Sequence, residues 1–162
     1  MEISVCLCTY KRPALLTDCL RSLNEQTFPL PFEVIVTDND SNHSGEKIVH
    51  GFKDAFNRRG VPISYLVEPV QNIALARNRC VQAACGNLIA FIDDDERASS
   101  CWLETLYKIL QETNADGVWG PVIPKFSETF PRWLRDSTLF HGHHQKDKSV
   151  MTRDGMATNN AL

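Results

Sequence analysis

NLIAFIDDDE, Asn87 to Glu96, is an apolar run that ends in three adjacent aspartates, Asp93, Asp94 and Asp95. Neighbouring carboxylates repel and aspartate is a poor strand former, so something must offset the charge where the run stops. A metal ion, a basic side chain and water on a solvated turn would each do so. Short and continuous, Asn87 to Ile92 reads as a buried strand.

Segments of the same kind recur upstream. Ile3 to Cys8, Phe32 to Thr37 (FEVIVT) and Ile63 to Glu68 (ISYLVE) are apolar and rich in β-formers. Helical patterns separate them. Pro13 opens one in which Leu15, Leu16, Cys19, Leu20 and Leu23 share a face, and Ile48, Val49, Phe52 and Phe56 give the next its apolar side. A third helix spans Ile73 to Cys85 and ends at Gly86; a fourth, from about Ser100 to Thr113, turns Trp102, Leu103, Leu106, Ile109 and Leu110 inward. GVWGPVI, Gly117 to Ile123, reads as a fifth strand. Four alternations of strand and helix predict an α/β fold, a mostly parallel sheet flanked by helices on both faces. Ligands of such folds bind beyond the carboxyl ends of the strands. The polar clusters TYKR (Thr9 to Arg12), DNDS (Asp38 to Ser41) and Asp93 to Asp95 each stand at such an end.

Composition narrows the classes of function. The chain has 162 residues, enough for one domain, with 43% hydrophobic and 23% charged residues and a net charge of −3. A general nucleic-acid binder would be basic. No apolar run approaches the roughly 18 residues that cross a bilayer, and MEISVCLC does not read as a signal peptide. Cys6, Cys8, Cys19, Cys80, Cys85 and Cys101 sit in apolar patterns without a CxxC, which predicts reduced, mostly buried thiols in a cytoplasmic protein. After Pro121 the chain turns proline-rich, then polar in HGHHQKDKSVMTRDG, whose His141, His143 and His144 read as a loop. The expected division is a donor-binding unit at 1–120 and the start of a second region at 121–162, cut short at Leu162. Trp119, Phe126, Phe130 and Trp133 would then lack full cover and favour self-association as a homodimer.

Asp93 and Asp95 form a DxD at a strand end, and hard cations such as Mg²⁺ or Mn²⁺ prefer carboxylate oxygens and share their shell with phosphates. The same acids also suit the N-terminus of a following helix. Arg77 and Arg79, near the start of the third helix, could grip a phosphate, hold an aspartate or simply face water. Asp38 and Asn39 could read a base or ribose edge, or form an Asx turn. Thr9 and Tyr10 offer a hydroxyl and a flat ring for stacking. Neither GxGxxG, GxxxxGK[ST] nor GxSxG occurs, which disfavours dinucleotide, P-loop and α/β-hydrolase sites.

The ordered motifs SVCLCTYKRP, SLNEQTFP, FEVIVTDNDS, NIALARNRC and GNLIAFIDDDE resemble the inverting glycosyltransferases of family 2, which have the GT-A fold. The likeness runs from residue 3 to about 113. It implies a nucleotide-sugar site in which Thr9, Tyr10, Arg12, Asp38, Asn39, Arg77, Asp93 and Asp94 meet the nucleotide. Asp95 and Asp93 would hold Mn²⁺ or Mg²⁺. Asn39 stands where the family more often has a second aspartate. The resemblance further implies sugar transfer from a UDP-sugar, or a dTDP- or GDP-sugar, to a saccharide or lipid-linked acceptor, building surface polysaccharide or lipopolysaccharide at the inner face of a membrane. The family's general base falls beyond Leu162; Asp136, Asp147 and Asp154 do not match it. Two other readings stand beside this one: a nucleotide-binding module that transfers nothing, and a nucleotidyltransferase, which would want a glycine-rich loop where CTYKRP has none.

Overall fold

The computed structural model describes residues 1–126, 129–135 and 160–162. The order is β1 (Ile3–Thr9), α1 (Pro13–Asn24), β2 (Phe32–Asp38), α2 (Glu46–Arg58), β3 (Ile63–Val67), α3 (Ile73–Ala83), β4 (Leu88–Asp93), α4 (Trp102–Thr113) and a short α5 (Arg132–Arg135). The strands form one sheet in the order β3-β2-β1-β4, each neighbouring pair parallel. HGHH, with Asp136, Asp147 and Asp154, lies outside the described residues.

Alternating side chains of the strands feed two layers. Ile3, Val5 and Leu7 of β1, with Val34 and Val36 of β2, pack against Leu16, Leu20 and Leu23 of α1, Val49 and Phe56 of α2, and Leu103 and Leu106 of α4. The opposite pleat, Cys6 and Ile35, meets Cys80 of α3, with Cys8, Leu66, Ile89 and Phe91 alongside. Helices thus cover both faces, as the continuous apolar strands require. Among the described residues the cover is unequal: α1, α2 and α4 lie on one side, α3 on the other.

Three expectations change. The third helix stops at Ala83, and Ala84 is already extended at ψ 134°. Gly86 serves packing, not a helix cap: a Cβ there would lie 2.5 Å from the Ser4 backbone nitrogen of β1. The fifth strand shrinks to isolated antiparallel bridges, in which Ala161 pairs with both Phe91 and Trp119. Its partner is the segment 160–162, with Val118 and Leu162 exchanging backbone bonds of 2.7 and 2.9 Å. Pro121 and Pro124 then remove the donors a longer ladder would need. Leu162 joins the main core.

The cysteines are free, and Cys6, Cys19 and Cys80 are buried. Cys85 and Cys101 are exposed, contrary to the apolar patterns around them. Trp119, Phe126 and Phe130 are half-buried, while Trp133 is 73% exposed.

Candidate functional site

Register brings the strand ends together. Thr9 of β1 stands opposite Asp38 of β2, and Cys8 opposite Asp93 of β4. At this edge an open cleft of about 460 Å³ is lined by Thr9, Tyr10, Arg12, Asn39, Arg77 and Asp93 to Asp95, among others.

The three aspartates are met by two arginines. Arg12, just before α1, donates from one nitrogen to Asp94 Oδ1 at 3.1 Å and to Asp95 Oδ2 at 3.2 Å. Arg77 of α3 donates to Asp93 Oδ1 at 3.1 Å. The buried Thr9 hydroxyl donates to Asp94 Oδ2 at 2.7 Å, so both oxygens of that carboxylate are used. The acids differ in setting. Asp94 has a side chain only 6% exposed, whereas Asp93 and Asp95 are 41% and 52% exposed. Burial raises the Asp94 carboxyl above the ordinary aspartate range; the Thr9 hydrogen bond and Arg12 pull back, and Asp95 and Asp93 add to the rise.

Tyr10 is half-buried on the cleft wall, with Lys11 Nζ 5.0 Å from its ring centroid. Lys11 itself sits in the left-handed region at φ 53°, where the chain turns from β1 toward Arg12.

Asp38 does not line this cleft. It is fully buried, and its carboxylate accepts from Asp40 N at 3.0 Å, Gly45 N at 2.6 Å and the Tyr65 hydroxyl at 2.8 Å. Gly45 has little room for a side chain, since a Cβ would meet Asp38 Oδ2 at 3.2 Å. Burial, then the bond to Asp38, pushes the Tyr65 hydroxyl upward, keeping it a donor. Asn39 does reach the cleft, but its amide is committed to the segment between β3 and α3. Arg79 pairs with Glu68 at 3.7 Å and stays off the cleft wall.

The sequence reading missed Cys8, Gln71, Asn72 and Ile73, which also line the cleft. For Asn72 a signal exists: asparagine just before an apolar helical run is an N-cap pattern. Its side-chain oxygen accepts from Ala74 N at 2.9 Å and Leu75 N at 3.4 Å. Cys8 is marked by nothing local.

Among the described residues, no group of three or more metal-ligating side chains is assembled. Asp93 Oδ2 and Asp95 Oδ1 nonetheless carry no hydrogen bond among those residues, and both carboxylates reach solvent. Two hard oxygen donors fit an ion such as Mg²⁺ or Mn²⁺, which keeps waters and completes its shell with substrate phosphates.

Comparison with known proteins adds a family match, one relative and two solved structures. The family model described as Glycosyl transferase family 2 matches residues 4–159. The succinoglycan biosynthesis protein ExoM of Rhizobium meliloti (strain 1021) is 38% identical over 143 residues, 87% of this chain and 45% of that protein. This chain therefore spans a little under half the length of that relative. Among solved structures, S. aureus TarS 1-349 in complex with UDP-GlcNAc matches with a TM-score of 0.63 at 25% identity, over 77% of this chain and 37% of that one. The mannosyltransferase PcManGT from Pyrobaculum calidifontis, in complex with GDP-Man and Mn²⁺, matches with a TM-score of 0.65 at 22% identity, over 73% of this chain and 34% of that one, a likeness of fold.

Proposed function

We propose, from the premise that this chain belongs to glycosyl transferase family 2 and has the GT-A fold, that it carries the donor site of a glycosyltransferase. The donor is a nucleotide-sugar, a UDP-sugar first among them, and the transfer inverts the anomeric centre. The observation that carries this reading is the pairing of Asp93, Asp94 and Asp95 with Arg12 and Arg77 on the wall of one cleft. The TarS complex with UDP-GlcNAc supports the donor class, and ExoM supports a place in polysaccharide synthesis.

The chemistry follows from charge. When a sugar leaves a nucleoside diphosphate, the departing diphosphate gains negative charge. Arg12 and Arg77 carry fixed positive charge beside the place where it develops, and each is already held by a carboxylate in a defined orientation. Binding the diphosphate lets these guanidiniums exchange a carboxylate for a phosphate partner, which suits their forked donors. Tyr10 offers its ring to the base, and Thr9, by fixing Asp94, holds the middle acid still. A divalent cation on Asp93 and Asp95 would supply further charge stabilisation to the leaving oxygens. Among the described residues the cleft wall has no carboxylate besides these three, so none is left to deprotonate an acceptor hydroxyl.

The test is titration calorimetry of this chain with UDP, UDP-sugars, GDP-mannose and ADP, with Mn²⁺ and in EDTA. Metal-dependent binding that favours a uridine nucleotide supports the donor site. Equal binding in EDTA removes the cation, and no nucleotide binding removes the reading. Assay of sugar transfer to an acceptor extract then separates a transferase from a module that only binds nucleotide.

A further inference from the structure

We propose that Asn39 is a positioning residue, an amide clamp that sets the segment Glu68–Asn72 and thereby the start of α3 and Arg77; this rests on the donor-site reading above. Asn39, just past the end of β2, is 6% exposed. Its Nδ2 donates to Glu68 O at 2.9 Å and to Val70 O at 2.7 Å, and its Oδ1 accepts from Asn72 N at 2.9 Å. Two carbonyls and one N–H surround this amide, and only one orientation of the amide satisfies all of them.

The consequence runs outward along the chain. Asn39 N is itself anchored to Thr9 O at 2.8 Å, so the clamp is fixed to β1. Asn72, held at its backbone by Asn39, caps α3 with its side chain. One turn further, Arg77 reaches Asp93. Gln71, Asn72 and Ile73 line the cleft beside Tyr10 and Arg77, so the clamp shapes the wall a nucleotide would touch. Both amide hydrogens are spent on protein carbonyls, leaving Asn39 with no donor for a base.

An aspartate at this place would act differently. Its carboxylate has no hydrogens, and two oxygens would face the carbonyls of Glu68 and Val70. Protonation would restore one donor while the other oxygen still accepts from Asn72 N. Burial and the two carbonyls favour that neutral form. Titratable and charged neighbours are Asp38 and Asp40 on the same segment and Glu68 with Arg79 across the loop, so the unaltered chain is run at each pH as the control.

Amide hydrogen exchange and nucleotide titration test the clamp together. In the unaltered, nucleotide-free chain the Asn72 amide should be protected; exchange there at the unprotected rate overturns the proposal without any variant. Asn39→Ala should expose that amide and weaken UDP and other nucleoside diphosphates by a similar factor, about tenfold. Asn39→Asp should behave likewise at neutral pH and recover both protection and binding as the pH falls. Loss of the preference for uridine alone, with Asn72 still protected, would make Asn39 a base reader and end the proposal. Should the unaltered chain bind no nucleoside diphosphate, the donor-site reading fails while the exchange results still decide the clamp.

Discussion

Asp38 at the end of β2 is fully buried and takes hydrogen bonds from two backbone amides and the Tyr65 hydroxyl. Asp93 and Asp95, at and just beyond the end of β4, are 41% and 52% exposed, and each leans on one arginine. Both sets of acids stand at the same edge of one sheet. The difference lies in who their partners are. Fixed backbone amides cannot be surrendered without disturbing the loop, whereas a guanidinium can turn from a carboxylate to a phosphate. Saturated acid builds the edge, and acid held by exchangeable partners is available for binding.

The largest effect that would break this comparison is on stability at Asp38. Asp38→Ala leaves Gly45 N, Asp40 N and the Tyr65 hydroxyl without their acceptor in a buried place. The cost should be about 3 kcal/mol or more, since each unsatisfied buried group costs about 1–3 kcal/mol. Chemical denaturation measures it. A loss under about 1 kcal/mol would mean water replaces the carboxylate, and Asp38 would rejoin the binding acids.

Next comes Tyr10, just past the end of β1. If its ring carries a base, Tyr10→Ala should weaken UDP binding by about 1–3 kcal/mol and leave stability nearly unchanged. Calorimetry across a panel of nucleoside diphosphates reads this. Unaltered affinity would take the base elsewhere on the wall.

At Asp95 the comparison predicts the reverse of Asp38. Asp95→Ala should cost at most about 0.5 kcal/mol of stability, because an exposed ion pair contributes little. Mn²⁺-dependent UDP binding should weaken by at least tenfold, about 1.4 kcal/mol. Calorimetry showing unaffected binding would sink the metal role, and a collapse of the fold would sink the contrast with Asp38.

How far these roles could be read from sequence depends on where their partners lie. The strands and helices were legible because apolar runs and 3.6-residue patterns are local, and so was the edge at which polar clusters gather. Asp38 was not separable from Asn39 in DNDS. What distinguishes it is Tyr65, 27 residues away, and the bare backbone at Gly45. Three answers to the charge of Asp93 to Asp95 were open. The basic side chain is the one the structure shows, supplied twice, by Arg77 and by Arg12, the latter 82 residues before Asp94. The fifth strand misled for the same reason, since its pairing depends on Asn160 to Leu162.

The smallest effect concerns Asp94, which shares features of both kinds of acid. Its side chain is buried like Asp38, yet one of its partners is the exposed Arg12. Burial, the leading cause, raises its carboxyl in the folded protein above the ordinary value of 3.8, while Thr9 and Arg12 offset part of the rise. The sign follows from proton binding. Between the unfolded and folded values the folded chain holds more protons, so stability falls as pH rises through that window. The contribution is complete below the ordinary aspartate value and gone above the raised one. Asp94→Asn has no proton to lose and keeps an oxygen for the Thr9 hydroxyl, while the lost charge opposite Arg12 enters as a penalty once the aspartate would be ionised. If burial dominates, the melting temperature of Asp94→Asn should gain on the unaltered chain as pH rises from about 4, then hold a constant difference near neutrality. Other carboxylates titrate in both proteins and cancel in that difference. A gap that moves the other way would mean Arg12 outweighs burial, placing Asp94 with the acids that a ligand can engage and not with Asp38.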